Sequence, residues 1–262
     1  AYDSRFMSPE FAEVAGLIFA ANGIPAFVYP SLRPVPMLSF AVRELGCTAG
    51  VVLTASHNPP EYNGYKVYWA DGAQVVAPRD KGIITEVNAV TDFGMIKRMD
   101  RAEAEAKKLF TLIGEEVDEA FDRNVQASLM NHEMIQRMGD KLNIVYTPLH
   151  GSGNMPVRRN LEKAGFKNVF IVKEQEEPDS SFSTVDYPNP EDVKVFVMAQ
   201  ELDAKVDADV LIGTDPDADR VGAMVKDSNG EFVALTGNHV GALATEYILS
   251  QRKAQGKLPA NG

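Results

Sequence analysis

Cysteine, tryptophan and histidine are scarce, with one, one and four residues among 262. A single thiol, Cys47, excludes an intrachain disulfide and makes a reducing cytosol the expected compartment. Cys47 opens an apolar run and reads as a small core residue rather than a reactive thiol. Positive charge is also short, with 26 Lys and Arg against 37 Asp and Glu and a net charge of −11. That balance speaks against non-specific binding to nucleic acid or to an anionic membrane. No segment approaches the roughly 18–20 apolar residues of a membrane span, and no signal peptide is expected. No short-period repeat or low-complexity tract occurs. The first residue is not methionine, and Ala1-Tyr2-Asp3-Ser4-Arg5 reads as a strand end running into a turn, so the chain is expected to begin inside a domain. What remains is an ordinary globular composition, 45% hydrophobic and 24% charged, long enough for two domains.

The chain reads as strands alternating with helices. Ser8-Pro9-Glu10 predicts an N-cap, a proline at the first helical position and an acid in the first turn, followed by an apolar face that Asn22-Gly23 stops. A strand at 26–29, a helix at 37–45 and a buried strand at 49–53 follow, then a hairpin of 65–69 and 73–76 turned by Asp71-Gly72. Residues 80–139 read as helical, with 103–119 as a solvated charged face. Met130, Met134 and Met138 look like a packing stripe, and His132 and His239 like surface or satisfied core residues of helices. A second unit repeats the plan: strands at 143–146, 169–172 and 209–212, helices at 156–164, 191–202 and 238–251, and a hairpin of 221–225 and 231–235. The expected fold class is α/β, two similar α/β/α domains with mostly parallel sheets and loops of interest at strand C-terminal ends.

Two loops carry chemistry. Thr54-Ala55-Ser56-His57-Asn58-Pro59, extended by Asn63-Gly64-Tyr65-Lys66, puts a histidine beside a serine and a lysine ten residues on. A serine hydroxyl needs such help to act as a nucleophile. The same letters also make a polar turn capped by His57. The second loop, Gly213-Thr214-Asp215-Pro216-Asp217-Ala218-Asp219-Arg220, sets three carboxylates at alternate positions, which an extended stretch projects to one side. Their mutual repulsion calls for a cation or Arg220, and all-oxygen ligands suit magnesium or calcium. Counted from Asp215, an EF-hand would need Gly and Glu where Arg220 and Lys226 stand. A dehalogenase-type phosphatase would need Thr or Val where Ala218 stands. His150 with Gly151-Ser152-Gly153 reads as a structural turn, with a backbone phosphate cradle as the alternative. Arg5 reads either as pointing into a cleft or as pairing with an acid in a segment expected to precede Ala1.

Taken together, the two loops resemble those of the α-D-phosphohexomutase family. Tyr2-Asp3-Ser4-Arg5, Asn63-Gly64-Tyr65-Lys66, Thr147-Pro148-Leu149-His150-Gly151 and Pro188-Asn189-Pro190-Glu191 are similar to family segments too. The resemblance implies a phosphorylated Ser56 whose phosphoryl oxygen joins Asp215, Asp217 and Asp219 around Mg2+. It implies that His57 and Lys66 help move a proton, and that Arg220 holds the phosphoryl group or orients the carboxylates. The implied reaction interconverts hexose 1-phosphate and hexose 6-phosphate through a hexose 1,6-bisphosphate. It further implies most of a first domain at 1–118, a second at 119–236 and the start of a third at 237–262, in a fragment inactive alone. The sugar-recognition and phosphate-gripping loops of the later domains are not found, and oligomeric state is not legible. Two rivals stay open: a metal-dependent phosphatase with Asp215 as nucleophile, and a non-catalytic module that binds metal or sugar phosphate.

Overall fold

The computed structural model describes residues 1–260. The chain divides into two compact units, one of residues 1–55 and 60–121, the other of residues 56–59 and 122 onward.

In the first unit, helix α1 (Ser8–Ala21) leads to strand β1 (Ala26–Val28), helix α2 (Val35–Glu44) and strands β2 (Ala49–Leu53) and β3 (Tyr65–Trp69). Helices α3 (Arg79–Ala89) and α4 (Arg101–Ala106) precede strand β4 (Phe110–Leu112). β1 pairs parallel with β4, and β2 pairs antiparallel with β3. Val35, Leu38 and Val42 of α2 pack on Val52 and Tyr68, a face set by the helical spacing of the apolar residues. Cys47 packs against that cluster, and burial raises its thiol above the usual range. The unit boundary falls within helix α5 (Glu115–Ala127).

Several elements differ from expectation. Met7, with φ of 61°, caps α1, and Ser8 lies inside the helix with its hydroxyl turned to Asp3. β4 lies within the stretch read as helical; its strand character comes from pairing with β1 and burying Phe110. The expected return strand at 73–76 shrinks to a single bridge, Tyr68 to Gln74, because the chain turns away through Pro78 into α3.

In the second unit, helix α6 (His132–Met138) precedes strand β5 (Asn143–Thr147), helix α7 (Asn154–Ala164) and strand β6 (Asn168–Ile171). Helix α8 (Val197–Val206), strands β7 (Val210–Thr214), β8 (Val221–Lys226) and β9 (Phe232–Leu235) and helix α9 (Gly237–Ala254) follow. One sheet runs in the order β6-β5-β7-β8-β9, parallel across β6, β5 and β7 and antiparallel beyond. Crossover helices explain the parallel pairs and hairpins the antiparallel ones. Val145 and Leu211 of the two central strands pack with Phe196 and Ala199 in the core.

The helix expected at 191–202 begins late: Asp192 caps a short 3-10 turn at Val193–Phe196, and α8 starts only at Val197. Met134 and Met138 are exposed, so the methionine spacing on α6 does not mark a packing stripe. His239 is an exposed helix residue, as expected, and it closes a capping box with Thr236 at the start of α9. α9 buries no residue, and the last two positions of the expected third segment lie outside the described residues.

Candidate active site

The acidic loop begins where β7 ends. Asp215 and Asp217 are fully buried and Asp219 is exposed. The three offer carboxylate oxygens within 4.8 Å of one another. An extended stretch would set the three alternate carboxylates on one side; here the chain instead turns at Ala218, whose φ is 48°, and the three still converge. The backbone N–H of Arg220 donates to Asp215 Oδ1 at 3.0 Å and closes the turn. Burial first, and then the charges of Asp217 and Asp219, push the Asp215 carboxyl up to about 8. A carboxylate cluster in that state is short of positive charge, and an oxygen-only donor set fits a hard divalent cation.

Residues 56–59 belong to the same compact unit as this loop. Ser56 holds a left-handed backbone, φ 55°, which is uncommon for a serine and fixes the direction of its side chain. Its hydroxyl donates to Asp215 Oδ2 at 2.9 Å. His57 Nδ1 lies 3.3 Å from the same hydroxyl. Burial first, and then the Arg220 guanidinium, lower the imidazole below its usual range, against the pull of Asp217, Glu191 and Asp219. A histidine held that way is neutral near pH 7 and able to accept a proton.

The other expected site residues fall as follows. Lys66 lies on β3 in the first unit, opposite Val52. Arg220 meets the trio through its backbone, while its guanidinium reaches toward Glu191 Oε1 at 3.5 Å. Arg5 is buried and pairs with Asp3 inside the chain, so neither reading of it as a cleft residue nor as partner to an outside acid describes it.

Sequence reasoning missed the brace beneath the acidic loop. Ser152 donates both its backbone N–H, at 2.8 Å, and its hydroxyl, at 2.7 Å, to the Pro216 carbonyl. A Cβ on Gly151 would stand 2.5 Å from Pro216 Cα, so only glycine lets the two backbones approach this closely. Tyr146 and Thr214 share a buried hydrogen bond of 2.8 Å. His150 Nδ1 lies 2.8 Å from the Glu177 carbonyl, which can only accept; the proton therefore sits on Nδ1, and Nε2 accepts from Thr184. The 150–153 segment is thus a structural turn that supports the loop. The Pro-Leu-His-Gly string was the available signal.

Comparison with known proteins identifies the family. Residues 1–93 match the model of phosphoglucomutase/phosphomannomutase α/β/α domain I, and residues 120–230 match that of domain II. The chain is 39% identical over 251 residues to a phosphoglucomutase of Staphylococcus epidermidis, covering 95% of this chain and 45% of that protein. It is 36% identical over 253 residues to a Haemophilus influenzae protein named probable phosphomannomutase, covering 95% and 50%. A crystal structure of a phosphoglucomutase/phosphomannomutase family protein from Burkholderia thailandensis shares the fold, with a TM-score of 0.71, 20% identity and coverage of 96% and 50%. The chain spans about half the length of these relatives. It belongs to the phosphoglucomutase/phosphomannomutase family.

Proposed function

We propose that this chain carries the phosphoserine and metal loops of an α-D-phosphohexomutase, an isomerase that moves phosphate between the 1 and 6 positions of glucose or mannose. The observation that carries the reading is the 2.9 Å contact between Ser56 and the acidic trio. The proposed domains are 1–118, 119–236 and the start of a third at 237–262, with further domains in the intact protein. A cytoplasmic setting accords with the single cysteine, and no helix of the described residues is long and apolar enough to cross a membrane.

In the resting enzyme Ser56 carries a phosphoryl group. A sugar hydroxyl attacks phosphorus, its oxygen–phosphorus bond forms, and the bond to Ser56 Oγ breaks. The sugar's proton passes to a base, His57 or Lys66, which returns a proton to the departing Ser56 oxygen and leaves it hydrogen-bonded to Asp215. The hexose 1,6-bisphosphate then presents its other phosphoryl group, and Ser56 Oγ attacks it in the reverse sense. Phosphoryl transfer depends mostly on positioning and on neutralising the equatorial oxygens. Asp215, Asp217 and Asp219 would hold Mg2+, which when bound supplies positive charge to the phosphoryl oxygens. The trio fits that ion by donor type and by its unmet demand for charge.

The intact protein that contains this chain, assayed with glucose 1-phosphate and mannose 1-phosphate plus a trace of the matching bisphosphate, is expected to form the 6-phosphate of at least one sugar. Release of inorganic phosphate alone, or metal binding without conversion, would contradict the proposal.

A further inference from the structure

The loop that carries Ser56 leaves β2 at Thr54 and rejoins β3 at Tyr65, and its two ends are tied by an unusual set of buried polar groups. Asp3, Arg5, Ser8 and Thr54 are each at most 1% exposed. Asp3 Oδ2 accepts from the Thr54 hydroxyl at 2.6 Å and lies 3.3 Å from Arg5 Nε. Asp3 Oδ1 accepts from the Arg5 backbone at 3.1 Å and from the Ser8 hydroxyl at 3.3 Å. On the returning arm, Arg5 Nη1 donates to the Tyr62 carbonyl at 2.8 Å, and Asn63 Nδ2 donates to Ser8 Oγ at 2.9 Å. The Gly64 carbonyl accepts from the Thr54 N–H at 3.1 Å. A Cβ on Gly64 would stand 2.5 Å from the Thr54 carbonyl oxygen, so the arms touch backbone to backbone.

A buried ion pair adds little net stability compared with apolar residues of the same volume. Its usefulness lies in geometry, and here both arms of a single loop are bonded to the Asp3–Ser8 turn, Thr54 to Asp3 on one arm and Tyr62 and Asn63 to Arg5 and Ser8 on the other. Within that ring Ser56 holds its left-handed backbone, a conformation that persists only where the surroundings enforce it. We infer that Asp3, Arg5 and Thr54 are positioning residues for Ser56, a clamp that closes the 54–64 loop and holds the serine in its reactive conformation. The inference rests on the mutase reading.

The test uses the intact enzyme and four variants. Thr54→Val keeps the side-chain shape and removes the hydroxyl; Thr54→Ser restores it; Arg5→Lys keeps the charge but loses the reach to Tyr62; Ser56→Ala is the reference. Misplacing a reacting group by a fraction of an ångström lowers turnover without weakening substrate binding. Thr54→Val is therefore expected to lose at least tenfold in kcat with KM within twofold, to leak more phosphate from the phosphoenzyme to water, and to be rescued by Thr54→Ser. A folded Thr54→Val with a lower Tm but kcat within twofold of the parent overturns the inference. If Thr54→Val does not fold, Arg5→Lys is judged by the same criteria, and failure of both to fold also overturns it, since the residues would then serve stability alone. Full activity of Ser56→Ala would instead remove the mutase reading.

Discussion

Ser56→Ala in the intact enzyme is expected to lose both its phosphoserine and at least about 10^4-fold in turnover, the scale seen when a covalent nucleophile is removed. The substitution deletes a hydroxyl that donates to Asp215 at 2.9 Å and leaves a residue that strains the φ 55° backbone no more than serine does. Stability should change by less than about 1 kcal/mol, as for other partly exposed sites without a packing role. A deficit this large therefore reports the oxygen itself. Intact-mass analysis and the coupled sugar-phosphate assay check the two halves of the expectation. Turnover within tenfold of the parent would remove Ser56 from the chemistry.

The acidic trio should make the metal-free chain progressively less stable as pH rises from about 4 to 8. Burial and the neighbouring Asp217 and Asp219 charges raise the Asp215 carboxyl from 3.8 to about 8 in the folded chain. Between those values the folded state keeps a proton that the unfolded state has released, so stability falls with rising pH, by on the order of 5 kcal/mol across the window. A divalent ion takes the proton's place. Its apparent affinity should then rise about tenfold per pH unit up to pH 8, with close to one proton released per ion bound. Asp215→Asn should bind Mg2+ at least tenfold more weakly, abolish the pH dependence and raise the stability of the metal-free chain at pH 8. Calorimetric titration in buffers of different ionisation enthalpy counts the proton, and denaturant unfolding in EDTA measures the stability. A flat stability profile from pH 5 to 8 would count against a carboxylate cluster short of positive charge.

Both loops were legible because their chemistry is local. Three carboxylates and an arginine after an apolar strand, or serine and histidine before a proline, announce themselves within eight letters. β4 was not legible: Phe110-Thr111-Leu112 is too short to show a period, and only β1, more than 80 residues away in sequence, makes it a strand. The brace on the acidic loop escaped for a related reason. Gly151 and Ser152 read as turn residues, and nothing near them in sequence reveals that Pro216 is the group they support. Arg5 was misread because an arginine is seldom fully buried; the acid that permits it, Asp3, stands two residues away, but the carbonyl that uses it belongs to Tyr62. Ser8 likewise looked like a helix cap until Asp3 and Asn63 were seen to claim its hydroxyl.

The account's central claim is that one divalent ion touches the Ser56 phosphoryl group and the Asp215, Asp217 and Asp219 carboxylates together. The phosphorus NMR line of the phosphoenzyme, recorded while Mn2+ replaces Mg2+, tests it most directly. One equivalent of Mn2+ is expected to broaden the phosphoserine resonance beyond detection, and the line should survive that concentration in Asp217→Asn. A resonance that stays sharp while the acidic loop is saturated with Mn2+ would show that serine and acids do not share an ion.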